Sequence, residues 1–320
     1  MNQLTHDDKA FNDALCLMLN ATSHLAPRGA IGWCLLDTAQ QVIACDAVMA
    51  GTASTKLIRT LQQHSERCHQ LLLTLEPVQG FVNGEELIRI LDSSFCQHIN
   101  VAYQMDRQFI DRDWLDWKES WSGKFNYLAH TYTASQLAAG IESVKVRRRP
   151  WVMAVCAADW SGRSVVLNDL CEGFAIREQL FGYASQSRAV LYASDQVALM
   201  ENLPDTNSAN EPITPFEIYE SSSIQSLLNY LATEYRCNCV VYTNTDILRY
   251  LLAEELVDEV VYYLADFAGD NPESLAVTHS SAINFKGWET TSCSKAGDGC
   301  RLVLRRKSTT ELTRLHLGLN

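Results

Sequence analysis

Short apolar runs alternate with segments of helical period along this chain, and the alternation comes in two blocks. In the first block, strand-like runs at Ile31–Leu36 and Val42–Cys45 are joined by a polar turn at Thr38–Gln41. A helix through Thr55–Arg67, a strand at Leu71–Leu75, a helix at Glu85–Leu91 and a strand at Ile99–Tyr103 follow. Ahead of them, Phe11, Ala14, Leu15, Met18 and Leu19 have the spacing of one buried helical face. Residues 107–148 are aromatic and polar and read as one or two helices leading out of the block. The second block opens with a strand at Trp151–Cys156. It continues through a helix near Phe174–Tyr183, a strand at Ala189–Ala193 and a helix at Ile224–Tyr235. Strand Cys239–Tyr242, helix Asp246–Glu254 and strand Val257–Leu264 follow, and a hairpin turning at Ala296–Gly299 closes the chain. Residues 201–215, rich in Pro, Asn and Ser, read as a loop. Such an alternation packs helices over sheets, an α/β architecture. The basic stretch Lys145–Arg149 ahead of Pro150 marks the boundary, because the residue before proline disfavours helix. Two domains result, 1–148 and 149–320.

Composition excludes several classes of partner. With 26 basic against 38 acidic residues the net charge is −12, so neither nucleic acid nor an anionic membrane is attracted in general. No apolar run is long enough to span a bilayer, and the N-terminal stretch lacks the basic start of a signal peptide. Eleven cysteines without framework spacing fit reduced thiols. The expectation is a cytoplasmic protein.

Six segments in order carry a resemblance. They are APRGAIGWCLLD at 26–37, LLLTLEP at 71–77, INVAYQMD at 99–106, RRPWVMAVCAADWSGR at 148–163, SRAVL at 187–191 and ELVDEVVYYLADF at 255–267. Together the chain resembles the bifunctional deaminase–reductase family of riboflavin biosynthesis, over nearly its whole length. The resemblance implies a cytidine-deaminase-like three-layer domain followed by a dihydrofolate-reductase-like domain.

In that family the deaminase half holds Zn²⁺ with one His and two Cys, and a Glu beside the His shuttles protons. Here the His-Ala-Glu segment falls on Ser54-Thr55-Lys56 and the first Pro-Cys on Pro77-Val78. No cysteine occurs between residues 79 and 95, and the family's substrate-contacting Asn falls on Arg28. The resemblance therefore implies no metal and no deamination. Three other thiol groupings could offer donors. His64 and Cys68 are spaced for one helical face beside His69; Cys237 and Cys239 flank a strand start; Cys293 and Cys300 could face across the closing hairpin. Chance spacing and packing account for each.

The family's reductase half holds NADPH along the sheet's carboxyl edge. Its Lys and Asp on the opening strand fall on Val155 and Ser161, although Gly162 and Arg163 remain. Its Glu-Gly-Gly, where backbone approaches a pyrophosphate, falls on Tyr242-Thr243-Asn244. Its Trp-Ile-Thr loop falls on Leu170-Cys171-Glu172. Between Arg188 and Arg236 there is no Arg or Lys to meet a phosphate, while Asp195, Glu201, Asp205, Glu211 and Glu217 lie there. The cationic cluster of Lys145, Arg147, Arg148 and Arg149 reads as a solvated linker, with a phosphate site as the alternative. Trp114, Trp117, Trp121 and Phe125 have helical spacing, for packing or for a partner.

The expectation is a pseudoenzyme with no catalytic residue and no cofactor. It would serve as a scaffold or small-molecule binder, dimerising through its C-terminal domain and serving a riboflavin-pathway enzyme or intermediate. Gly162, Arg163, Thr243 and Asn244 are the vestigial pocket. The alternative is a working NADPH-dependent reductase of an aminopyrimidine ribose phosphate. A third reading, repurposed chemistry, would rest on Asp159, Arg163 and Glu172.

Overall fold

A computed structural model describes residues 30–49, 53–78, 83–128, 138–172, 174–203, 205, 213, 215–220, 223–234, 236–265 and 283–306. The helix expected over Phe11–Leu19, Arg28 and most of the loop expected at 201–215 lie outside them. Two compact units meet in sequence at Arg148 and Arg149.

The first unit is built on a five-stranded sheet ordered β2-β1-β3-β4-β5. Its strands are β1 (Ala30–Leu36), β2 (Val42–Met49), β3 (Gln70–Leu75), β4 (His98–Tyr103) and β5 (Lys124–Tyr127). Strand β1 runs antiparallel to β2 and β3, while β3, β4 and β5 are parallel. Parallel strands are covered on both faces, which is why β3 is an unbroken buried run rather than an alternating one. Three helices connect them: α1 (Ala53–Gln63), α2 (Gly84–Asp92) and α3 (Arg112–Ser120). Asn83 caps α2 by accepting from the Glu86 amide at 3.1 Å, and Asp111 caps α3 by accepting from the Trp114 amide at 3.2 Å.

Among the described residues, 107–148 hold the expected helices, α3 and a second helical segment at 138–147, with an unexpected strand, β5, between them. Helix α3 stops at Ser120, Trp121 takes the extended C-cap position, and Phe125 sits on β5. The helical spacing of the four aromatics therefore crosses an element boundary. They still pack together. Trp114 is fully buried, with ring centroids 5.0 Å from Trp117 and 6.3 Å from Phe125, and Trp117 stacks on Trp121 at 5.1 Å.

The second unit is built on a larger sheet ordered β12-β13-β11-β6-β10-β8-β9, with a short β7 paired to β6. In chain order its elements are β6 (Trp151–Asp159), β7 (Ser164–Val165), α4 (Phe174–Ser185), β8 (Val190–Ala193), β9 (Pro215–Ile218) and α5 (Ile224–Thr233). They continue with β10 (Asn238–Thr243), α6 (Thr245–Ala253), β11 (Glu259–Ala265), β12 (Trp288–Ala296) and β13 (Gly299–Arg306). Alternate residues of β6 serve two cores. Val152, Ala154 and Cys156 meet Leu228 of α5 and Leu248 and Leu251 of α6. Met153, Val155 and Ala157 meet Ile176, Leu180 and Tyr183 of α4. Glycine is required at position 299, where a Cβ would come within 1.8 Å of the Leu264 carbonyl oxygen.

The basic stretch is only partly a solvated linker. Arg149 is 6% exposed and forks onto Asp258, with Nη1 2.5 Å from Oδ2 and Nη2 3.0 Å from Oδ1. Asp258 Oδ2 also accepts from the Val152 amide at 2.9 Å. A guanidinium can be buried when its fork is satisfied by a carboxylate, and this one ties the start of β6 to the start of β11. Arg147 and Arg148 are exposed, and Arg148 takes a left-handed turn at φ 58.

Candidate functional site

The first unit places the metal-equivalent positions at the start of α1 and just past β3. Ser54 lies in the first turn of α1, and the Lys56 ammonium is ion-paired with Asp46 of β2. Val78 is fully buried and forms a backbone bridge with Ile110. A valine side chain has no lone pair, and a paired ammonium is a poor donor to a cation, so these residues do not fit zinc. Among the described residues, no three His, Cys, Asp or Glu side chains are arranged to hold a metal.

What stands beside Val78 is a buried ionic network. Glu76 is fully buried; its Oε1 accepts from Lys118 Nζ at 2.7 Å and from Trp114 Nε1 at 3.2 Å, and its Oε2 from the Tyr127 hydroxyl at 2.6 Å. Lys118 Nζ also lies 4.7 Å from the Phe125 ring centroid. Burial, and then the Glu76 carboxylate, push the Tyr127 hydroxyl above the usual phenol range.

The other thiol groupings are placed as follows. Helix α1 ends at Gln63, so His64 and Cys68 do not share a helical face; the chain turns back, with the Cys68 amide donating to the His64 carbonyl at 2.8 Å. The Cys68 thiol is buried and donates to the Gln70 carbonyl at 3.5 Å, while the His69 ring lies 5.1 Å from that of His98. Cys237 and Cys239 are both buried. Cys293 and Cys300 are not register partners, since Cys293 faces Leu302 and Cys300 faces Lys295.

In the second unit the carboxyl edge of β6, β10 and β8 is already filled by the chain's own groups. Asp159 ends β6 and organises the turn to β7. Its Oδ1 accepts from the amides of Ser161 and Arg163 at 2.8 and 3.0 Å, and its Oδ2 from Arg163 Nε at 3.0 Å. Burial raises its carboxyl, but these bonds outweigh it and hold the group below the usual range. Gly162 supplies the positive φ of 83° that the turn needs. Next to it, Tyr242 is buried with its hydroxyl donating to the Leu180 carbonyl at 2.5 Å, and Thr243 is buried. Asn244 caps α6 by accepting from the Ile247 amide at 3.0 Å, and the Thr245 amide points to Ser164 Oγ at 3.4 Å. That last contact brings the Gly162–Arg163 turn to the Thr243–Asn244 corner. The Asn244 Nδ2 donates in turn to Asp195 Oδ2 at 3.2 Å. A helix head normally favours an anion; this one has its own carboxylate nearby.

A cavity of about 250 Å³ lies elsewhere in this unit, lined by Asn168, Cys171, Arg177, Phe181, Leu199 and Asn202. Three pieces enclose it: the 3₁₀ segment Leu167–Glu172, helix α4 and the short helical turn Val197–Met200. The Arg177 guanidinium lies 5.2 Å from the Phe181 ring centroid, an i, i+4 pair on α4. Burial pushes the Cys171 thiol up, with Arg177 acting against it. Below, the fully buried Gln196 accepts from the Leu167 amide at 3.0 Å. None of Gly162, Arg163, Thr243 and Asn244 lines this cavity, and neither Asp159 nor Arg163 reaches it. Of the cavity residues, Cys171 and Asn202 fall on loops that the sequence resemblance aligns, and the i, i+4 spacing of Arg177 and Phe181 is the sequence signal for that pair.

No family model and no curated protein matches the sequence. Solved structures do. Acinetobacter baumannii RibD is 15% identical, with 95% of this chain and 99% of that one covered at a TM-score of 0.65. A Thermotoga maritima diaminohydroxyphosphoribosylaminopyrimidine deaminase/5-amino-6-(5-phosphoribosylamino)uracil reductase is 10% identical, with 93% and 99% covered at 0.64. The chain shares their two-domain fold. It is RibD-like in architecture, a deaminase-like unit followed by a reductase-like one, and strongly diverged in sequence. Fold at this identity carries no activity with it, so function rests on the sites. Among the described residues no helix is long and apolar enough to cross a membrane.

Proposed function

We propose that this chain is a pseudoenzyme on the RibD fold, without deaminase or reductase activity, that binds a small molecule in its C-terminal unit. The carrying observation is the carboxylate of Asp195 bonded to Asn244 at the head of α6, where a nucleotide phosphate would need a clear, electropositive approach. Val78 and the paired Lys56 support the loss of metal chemistry in the first unit. The Arg177–Phe181 pair and the amides of Asn168 and Asn202 suit a small ligand carrying an anionic group and a flat apolar part. An aminopyrimidine ribose phosphate of the riboflavin pathway has that chemistry, and a partner enzyme of the pathway would share it. The chain acts as a homodimer through its C-terminal unit, in the cytoplasm.

Titration of the purified protein with ribose 5-phosphate and with an aminopyrimidine ribose phosphate tests this. Saturable binding lost in Arg177→Ala, without substrate turnover, supports it; binding that Arg177→Ala leaves unchanged contradicts it. The second reading, an NADPH-dependent reductase of that substrate, draws on the same cavity and requires nucleotide at the carboxyl edge despite Asp195.

A further inference from the structure

The first unit holds a pair of thiols set directly opposite one another. Cys34 of β1 and Cys45 of β2 are register partners in an antiparallel pair, so their side chains leave the same face of the sheet. Opposed residues in such a pair have Cα atoms ~4.5–5.5 Å apart, inside the ~4.4–6.8 Å that a disulfide spans. The Cys34 thiol is fully buried opposite Cys45, whereas Cys45 is half-buried. We propose that Cys34 and Cys45 form a redox site, a dithiol that hydrogen peroxide closes into a disulfide clamping the β1–β2 hairpin.

The roles of the two sulfurs follow from their surroundings. Cys45, half-buried, is the sulfur an oxidant meets first and so the attacking thiol, and the fully buried Cys34 is the resolving thiol. The Cys45 sulfur attacks one peroxide oxygen; the O–O bond breaks, a sulfenic acid forms, and the leaving hydroxide takes up a proton as water. The Cys34 sulfur then attacks the Cys45 sulfur. The S–S bond forms, the S–O bond breaks, and hydroxide leaves with the Cys34 proton as a second water. Two thiols lose two electrons and two protons, and one peroxide becomes two waters. Cys68 and Cys96 also touch, but both are buried, so the same oxidant reaches them later.

The test uses the full chain, reduced, exchanged into thiol-free buffer and treated with one equivalent of hydrogen peroxide. Remaining thiols are then alkylated after unfolding. Cleavage at Arg and Lys together with cleavage before Asp separates Cys34 from Cys45, because Asp37 lies between them. A linked pair of peptides, lighter by two hydrogens than their sum, appearing before any Cys68–Cys96 link and reversed by dithiothreitol, is the expected result. In Cys45→Ser, Cys34 should stay fully alkylatable under the same treatment. Cys34 recovered fully alkylated from the treated wild-type chain while the exposed Cys293 is oxidised would overturn the proposal. The wild-type map needs no variant to fold.

Discussion

The side-chain amide of Asn244 spans from the head of helix α6 to the carboxylate of Asp195, 3.2 Å away, while its oxygen caps the same helix. One residue thereby closes the helix end and fixes a negative charge beside it. Tyr242 turns its side chain into the core against α4, and Thr243 and Asn244 close the corner itself with side chains.

Asp195→Asn should therefore make the corner more tolerant of anions. Removing one exposed charge near a phosphate is expected to tighten pyrophosphate or NADPH binding roughly fivefold at low salt, and less at high salt. Fluorescence titration at two ionic strengths measures it. Equal binding by the variant and the parent at low salt contradicts the assigned role.

Glu76 is expected to be a stability residue. Lys118→Met leaves its buried carboxylate without its cation and should cost about 3 kcal/mol by urea unfolding. Glu76→Gln with Lys118→Met should recover part of that loss, because the uncompensated charge is gone. A cost below ~1 kcal/mol for Lys118→Met would mean the network is hydrated and weak.

Arg149 and Asp258 make a parallel case in the second unit. Asp258→Asn removes the partner of a buried guanidinium and weakens the bond to the Val152 amide, so a loss of about 3–5 kcal/mol is expected by the same measurement.

His98 supplies a pH dependence. Burial first, then His69 and Lys124, lowers its pKa in the folded chain. The unfolded chain therefore binds the proton more readily, and stability rises with pH across the interval between the two values. Unfolding free energy should fall as pH drops through about 6.5, the unfolded value, and level off once the folded group is protonated. His98→Gln should flatten that step in a denaturant series from pH 7.5 to 5; an unchanged step assigns it elsewhere.

Much of the fold was legible in the residues. Strands β3, β4 and β10 are mostly apolar buried runs, and α2 and α6 begin at Asn83 and Asn244, residues that cap helices. Strand β5 was not legible, because Lys124–Tyr127 is a short edge strand with three exposed positions in its burial pattern. The two-residue β7 exists only through its pairing with Ala157 and Ala158. The residue types at Val78 and at Tyr242–Asn244 were readable from the sequence, but their contacts were not. Asp195 and Asn244 are 49 residues apart, and only the parallel pairing of β8 with β10 brings them together. Arg149 read as one more cation in a basic run, since its partner lies 109 residues on.

Two further measurements bear on assembly and metal. Light scattering should give a homodimer of ~72 kDa from the 35.9 kDa chain; a monomer at micromolar concentration contradicts the dimer. Elemental analysis should find no stoichiometric zinc, and one tightly held ion per chain would contradict the reading of Ser54, Lys56 and Val78.

The central claim is that the reductase-like unit no longer takes the nucleotide, and isothermal titration of the purified protein with NADPH tests it most directly. Losing two or three charge-assisted phosphate bonds at ~1.5–3 kcal/mol each leaves affinity near the millimolar range. The account predicts no binding heat at micromolar NADPH and no oxidation of NADPH in the presence of an aminopyrimidine ribose phosphate. A micromolar dissociation constant would contradict it, and substrate-dependent NADPH oxidation would also identify the chain as a working reductase.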